Sequence, residues 1–338
     1  MDRRRGIDAL WARDGAGALA LAPLSWLFGA VTAVRNAAFD HGLLRARPLG
    51  LPSVSVGNLS VGGTGKTPMA AWVAQQFLAR GLRPAILLRG YGADEPIVHE
   101  RLTPGALVVA DPDRVRGAAK AKALGAQVLV LDDAFQHRQA ARDVDLVLVA
   151  AEQSGSRRLL PAGPFRETAS ALRRAHALVV TRKRASADEA RAVAAEWRAA
   201  NPSAVVAIAA LAAGELVGVG TGERRPLTVL RDAEVLAVSA IGLPAAFEGQ
   251  LAQLGARVRS AAYADHHAFT DADIAEMAAL ARAGGAAWVV CTLKDAVKLE
   301  GRWPRQGPAL WYLSQAVTIE SGAGELQDLL GRTVAITR

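Results

Sequence analysis

Apolar and polar positions follow two rhythms along this chain. Short β-branched and leucine runs begin with "SVSV" at Ser53. They recur in "PAILLRGYG" at Pro84, "ALVVADP" at Ala106, "AQVLVLDDAFQH" at Ala126, "DVDLVLVAAE" at Asp143 and "HALVVTRKR" at His176. Between them apolar residues fall at helical spacing, as Met69, Val73, Phe77 and Leu78 do after the first run. Continuous apolar strands alternating with helices predict an α/β fold, a doubly wound and mostly parallel sheet covered on both faces. A helix is expected from Ser186, in "SADEARAVAAEWRAANP", and an extended pair of strands in "AVVAIAALAAGELVGV" after it. Gly214 to Pro226, rich in glycine and charge, reads as a boundary. The second half repeats the alternation on a smaller scale, from "EVLAVSAIGLP" through "AAWVVCTLKD" to "ALWYLS". The expected division is an apolar helix region at 1–48, a core at 49–205, a linker of β character at 206–229 and a smaller α/β domain at 230–338.

The stretch "PSVSVGNLSVGGTGKTPMAAW" places a glycine-rich loop between a strand and a helix. It is a variant of the phosphate-binding pattern G-x-x-x-x-G-K-[ST], because Ser60 stands where the first glycine belongs. Gly62, Gly63 and Gly65 let successive N–H groups around Thr64 turn onto an anion. Lys66 then reaches phosphate oxygens, and the Thr67 hydroxyl can ligate Mg²⁺. Pro68 falls in the first helical turn, where a missing N–H costs little. The first domain is therefore P-loop NTPase-like.

Composition narrows the partners. A chain of 338 residues, 51% hydrophobic and 21% charged, can bury a large core. Its one cysteine, Cys291, excludes an internal disulfide framework and a Cys-rich zinc site. The net charge of +8 rests on arginine, since only six lysines are present, and points to an anionic partner. No basic run interleaved with aromatics marks nucleic acid. Gly15 to Val34 holds twenty residues without a charge. Pro23 and the many alanines make it a weak bilayer span, and cleavage as a signal peptide would send a nucleotide-binding domain where ATP is absent. An interfacial helix remains, with Leu19, Leu24, Trp26, Leu27, Phe28 and Val31 entering lipid, beside the alternative of a core helix.

Three further clusters can do chemistry. "VLVLDD" ends a buried strand with Asp132 and Asp133, and neighbouring strand residues face opposite sides. One carboxylate can then meet the loop while the other braces it or helps hold Mg²⁺. "LLPAGPFRE" sets Arg166 and Glu167 behind a rigid turn, the arginine suited to an anion and the glutamate to a metal or a hydroxyl. "ADHHAF" holds Asp265, His266 and His267, where a histidine beside a carboxylate can act as a general base.

Taken in order, "SVGNLSVGGTGKTP", "RGYG", "DEP", "LDDAFQH", "RDVDLVLV", "LLPAGPFRE", "DHHAFT" and "TLKDAVK" resemble the tetraacyldisaccharide 4'-kinase family of lipid A biosynthesis, from about Val54 to Lys298. Ser60 at the head of the loop is similar to what that family carries. The resemblance implies a kinase using ATP and Mg²⁺ to phosphorylate the 4'-hydroxyl of an anionic lipid disaccharide at the inner face of the cytoplasmic membrane, without nucleic acid or an obligate protein partner. It implies Lys66 and Thr67 on ATP and Mg²⁺, Asp132 and Asp133 near the metal, and Asp94 with His266 as the base pair for the sugar hydroxyl. Arg89, Tyr91, Gln136, His137, Arg166 and Glu167 fall in motifs that line the family's site. The chain departs from the pattern at Ala134, at Leu293 and in the short connection from "RGYG" to "DEP". The rival reading is a nucleotide switch or assembly ATPase. A partitioning ATPase would carry a lysine where Val61 stands, and a GTPase D-x-x-G and N-K-x-D motifs that are missing here.

Overall fold

Serine and valine alternate from Ser53 to Val56, and all six residues of Ser53–Asn58 are buried, so the strand they form is covered on both faces. The computed structural model, which describes residues 11, 16–90, 92, 94–153, 156–242, 244–265 and 267–335, makes this strand β2. Before it lie α1 (Ala16–Ala20), α2 (Ala22–Asp40) and β1 (Arg47–Pro48). After it come α3 (Lys66–Leu78), β3 (Pro84–Leu88), α4 (Asp94–Leu102), β4 (Leu107–Ala110), α5 (Arg114–Ala123), β5 (Val128–Asp132), β6 (Ala140–Ala141), β7 (Val144–Ala150), β8 (Ala177–Arg182), α6 (Ala187–Arg198) and β9 (Val205–Gly218). These belong to a unit of residues 5–211 and 317–338, apart from the end of β9.

Parallel pairing gives this unit the strand order β4, β3, β5, β2, β7, β8, β9. The chain runs outward from β2 to β4, returns to β5 beside β2, and then crosses to β7 on the other side. Loops leaving the carboxyl ends of strands at such a reversal diverge and open a crevice. Val54, Val56, Val130, Leu146 and Leu148 pack with Met69, Val73 and Phe77 of α3 on one face. Ala85, Leu87, Leu129 and Leu131 pack with Ala118 and Ala121 of α5 on the other. Where β2 passes the loop after β5, a Cβ on Gly57 would lie 2.5 Å from Cβ of Phe135, so only glycine lets the two backbones approach.

The other unit, residues 212–316, carries a further run of parallel strands. It contains β10 (Arg224–Arg225), β11 (Glu234–Ser239), α7 (Pro244–Gln253), β12 (Arg257–Ala262), α8 (Asp271–Ala283), β13 (Trp288–Thr292), α9 (Leu293–Leu299) and the start of β14 (Leu310–Ser321). The order is β12, β11, β13, β14. Thr270 and Asp273 form a capping box at α8, and the Thr292 hydroxyl accepts from the Asp295 N–H at α9.

Two expectations change. The region read as a pair of strands is one fourteen-residue strand, β9. The smaller domain does not run to the end of the chain. Residues 317–338 rejoin the first unit, where Leu326 and Leu330 of α10 (Ala323–Ala335) enter the core beside α3. Amphipathic spacing marks a helix that must bury one face but does not say against which sheet.

No helix among the described residues is long and apolar enough to cross a membrane. In α2, Leu24, Trp26, Leu27, Val31 and Val34 are exposed, Trp26 at 73%. The opposite side faces the protein: Ser25 is buried, its hydroxyl donating to Leu159 O and accepting from Ala162 N–H, and Phe28 is half-buried. Phe28 therefore leaves the set expected to meet lipid.

Candidate active site

The loop between β2 and α3 turns through Gly62 (φ +126°) and Gly65 (φ +85°), both in the region favouring glycine. At Gly65 a Cβ would also stand 2.2 Å from Cδ1 of Leu211. Helix geometry leaves the first N–H groups of α3 without intrahelical acceptors. The Met69 N–H is the one that bonds back to Gly65 O, at 3.0 Å, so Pro68 gives up nothing the helix uses.

Braces from distant parts of the unit hold the loop. Asn58 Nδ2 donates to Thr64 Oγ1 at 2.9 Å, and the Thr181 hydroxyl donates to Thr64 O at 2.9 Å. Lys183 Nζ donates to Gly63 O at 3.0 Å, and the Val61 N–H to Pro164 O at 2.8 Å. Ser60 is part of this bracing: its hydroxyl donates to Gln153 Oε1 at 2.9 Å. It is buried, and a buried hydroxyl must find a protein partner.

Register sets the carboxylates against the loop. Val56 of β2 pairs with Asp132 of β5, so β5 ends beside the start of the loop. Asp132 Oδ2 accepts from the Thr67 hydroxyl at 3.3 Å and faces His99 Nε2 at 3.0 Å, while Arg114 Nη2 donates to its carbonyl at 3.3 Å. Burial pushes the Asp132 carboxyl up, but the hydrogen bond and charge of His99, then Lys66 and Thr67, outweigh it and hold it below the usual carboxylate range. Asp133 adopts φ +50°, and its Oδ1 lies 2.8 Å from Arg166 Nη1 and 3.8 Å from Lys66 Nζ. Both carboxylates thus converge on the first turn of α3, where opposite sides of the strand had been expected. The left-handed step at Asp133 swings the second one back.

The remaining expected residues divide. Gln136 Nε2 donates to Asn58 O at 2.8 Å, directly behind the loop. Burial, then Arg114, Arg142 and Arg89, hold the His137 imidazole below its usual basicity, so it is neutral at pH 7. Arg89 is exposed, and its charge reaches both His137 and Arg114. Glu167 Oε2 accepts from Arg174 at 2.8 Å and Asn36 at 2.9 Å, which makes the residue a buried anchor for α2, while its Oε1 is buried with no hydrogen-bond partner among the described residues. Asp94 starts α4, half-buried. Tyr91 and His266 lie outside the described residues. His267 pairs with Asp273 at 2.9 Å and stacks on Tyr263, a structural role at the start of α8 that, with the Thr270 bonds, holds the Asp273 carboxyl down to about 2.

Sequence reasoning missed Asn58, Thr181, Lys183, Arg114 and His99. A buried polar residue inside or ending an apolar strand was the available signal for Asn58 and Thr181. His99 had none, since one histidine in a charged helix reads as surface.

A model of the family described as tetraacyldisaccharide-1-P 4'-kinase matches residues 17–100 and 93–334, two stretches that overlap over residues 93–100. The tetraacyldisaccharide 4'-kinase of Anaeromyxobacter dehalogenans is 42% identical over 87% of this chain and 86% of its own length. That of Chlorobium luteolum is 34% identical over 93% and 97%. Among solved structures, LpxK from Aquifex aeolicus in complex with ATP superposes with a TM-score of 0.75 at 29% identity, covering 94% of this chain and 99% of that one.

Proposed function

The chain belongs to the tetraacyldisaccharide 4'-kinase family, and from that membership we propose its reaction: transfer of the γ-phosphate of ATP to the 4'-hydroxyl of a tetraacyldisaccharide 1-phosphate, giving the 1,4'-bisphosphate lipid A precursor. One observation supports it best: the first two residues of α3 meet two carboxylates at the end of the neighbouring strand, Thr67 with Asp132 and Lys66 with Asp133. A phosphoryl group held by the loop then has a fixed cation beside it and a carboxylate for a metal, which is most of what phosphoryl transfer asks of a protein.

Mg²⁺ is the metal of this reading. Asp132 Oδ1 is buried with no hydrogen-bond partner among the described residues, and the Thr67 hydroxyl adjoins the same carboxylate. Mg²⁺ commonly takes one or two protein oxygens and fills its shell with phosphates and water, and this donor set fits. When bound, it neutralises charge on the β- and γ-phosphates. The 4'-hydroxyl oxygen bonds to the γ-phosphorus as the bond to the β,γ-bridging oxygen breaks, ADP leaving with that electron pair. Asp94 takes the hydroxyl proton. Arg89, Gln136, His137 and Arg166 serve the anionic substrate side.

Purified protein incubated with ATP, Mg²⁺ and a tetraacyldisaccharide 1-phosphate is expected to yield lipid heavier by one phosphate, with one ADP per product. ATP turnover indifferent to the lipid would instead favour the nucleotide-switch reading.

The enzyme works at the inner face of the cytoplasmic membrane, held by the exposed face of α2. Its apolar residues at Leu24, Leu27, Val31 and Val34 form one stripe, with Trp26 beside it and exposed Leu43 and Leu44 followed by Arg45 and Arg47. The same helix also grips the site: Asn36 Nδ2 donates to Glu167 and Arg35 Nη2 to Gln136 O. Burying each large apolar side chain gains about 1.5–3 kcal/mol. Trp26→Glu, Leu27→Glu and Val31→Glu together should therefore weaken binding to anionic phospholipid vesicles at least tenfold, read by cosedimentation. Unchanged binding would move the attachment to another surface.

A further inference from the structure

Among the described residues, the ring of His99 is one of the most deeply buried polar side chains of the first unit, at 1% exposure, and the arrangement of its two nitrogens is unequal. Nε2 lies 3.0 Å from Asp132 Oδ2, while Nδ1 is buried with no hydrogen-bond partner. An ionised carboxylate can only accept, so Nε2 carries the proton that is shared. A buried ring nitrogen left unsatisfied is a cost that an apolar side chain of similar size would avoid. The benefit lies at the other nitrogen.

Oδ2 of Asp132 receives two donors, His99 Nε2–H and the Thr67 hydroxyl. Oδ1 receives none. Two donors on one oxygen fix the rotation of the carboxylate about its Cβ–Cγ bond, and the other oxygen is left as the free ligand position. α4 follows β3 after only residues 89–93 and packs against α3, which brings a helix residue to the end of β5, thirty-three positions away in sequence.

We propose that His99 is a positioning residue for the metal: it clamps Asp132 Oδ2 so that Oδ1 is presented to the divalent cation of the nucleotide. The inference rests on the metal reading given above and adds a residue to it. Outer partners of ligating carboxylates commonly change metal affinity by about 10- to 100-fold when removed. Clamping acts on the metal-bound state and not on the phosphate loop, so nucleotide affinity without metal should not follow.

Side-chain reach provides the test. Glutamine places its amide nitrogen near the position of Nε2, whereas asparagine places it near Nδ1, and both are polar and close to histidine in size. Mn²⁺ binding to the full-length protein with a non-hydrolysable ATP analogue, followed by the loss of the free-ion EPR signal, should weaken roughly 10- to 100-fold in His99→Asn. In His99→Gln it should stay within a few-fold of the parent. Analogue affinity with the metal chelated should be equal in all three, and the loss of phosphorylation in His99→Asn should appear as a raised metal requirement. Equal Mn²⁺ affinity in His99→Asn and the parent overturns the proposal, as does an equal loss in both variants or a parallel loss of metal-free nucleotide binding. A parent protein that binds no Mn²⁺ with the analogue fails one step earlier, at the metal reading itself.

Discussion

Lys66→Ala is expected to lower kcat for lipid phosphorylation by on the order of 10²-fold or more. Lys66 opens α3 directly after the left-handed Gly65, so the backbone conformation that makes the loop also aims the ammonium. Its Nζ lies 3.8 Å from Asp133 Oδ1, and the side chain is 15% exposed. In phosphoryl transfer the protein supplies little besides position and charge, and a lysine held in a partly dry crevice stabilises charge that grows on the transferring oxygens. The loss should fall on kcat more than on KM for ATP, because the interaction strengthens in the transition state. Lys66→Arg should not restore activity: a planar fork is no substitute for a compact point charge inside a tight loop. One side effect must be separated. Without the ammonium, Asp133 keeps Arg166 at 2.8 Å as its cation, so its carboxylate is not stranded. A Lys66→Ala/Asp133→Asn double variant should therefore be no more active than Lys66→Ala. Near-normal turnover in Lys66→Ala would remove the phosphate-loop mechanism altogether.

Asp94→Asn is expected to lower kcat by roughly 10²- to 10⁴-fold, the range for losing a general base, with ATP affinity nearly intact. A sugar hydroxyl attacks poorly until its proton is accepted, and asparagine keeps the size of aspartate while removing that capacity. Asp94 also stands in the first turn of α4, where a carboxylate favours the helix N-terminus. Melting temperature should be followed beside kcat, since the helix effect alone is a stability change of about 1 kcal/mol or less. The same α4 carries His99 five residues on, so a general collapse of the helix would raise the metal requirement as well. A lowered kcat at an unchanged metal requirement is the signature of the proton step. His266→Ala should be measured in parallel: if the two residues share one step, their losses combine to less than their product. Full activity in Asp94→Asn would place the base elsewhere.

What could be read along the chain and what could not differ in a regular way. The strand, loop and helix from Ser53 to Leu78, the need for glycine at Gly65, the placement of Pro68 and the helix beginning at Ser186 were all legible. Each depends on interactions among residues within a few positions of one another: a left-handed step, an N–H with no acceptor, or a capping box such as Ser186 with Glu189. The apolar rhythm also determined the class of the sheet, because buried parallel strands between helices leave few alternatives.

Partnership was decided by tertiary structure alone. Asp132 and Asp133 were recognisable as a pair, but strand order and the register of Val56 with Asp132 decide that Thr67 meets the first, while the left-handed backbone at Asp133 brings the second to Lys66. The same holds for Thr181 on the carbonyl of Thr64, for Glu167 drawn to Arg174 and Asn36, and for α10 returning to the core of the first unit. His99 is the clearest instance. Its helical neighbours say nothing of Asp132, because a sequence encodes which faces must be buried far more directly than which buried group will lie opposite, and that choice is made only when the sheet order sets β5 next to β2 and α4 is laid against α3, β3 and β4.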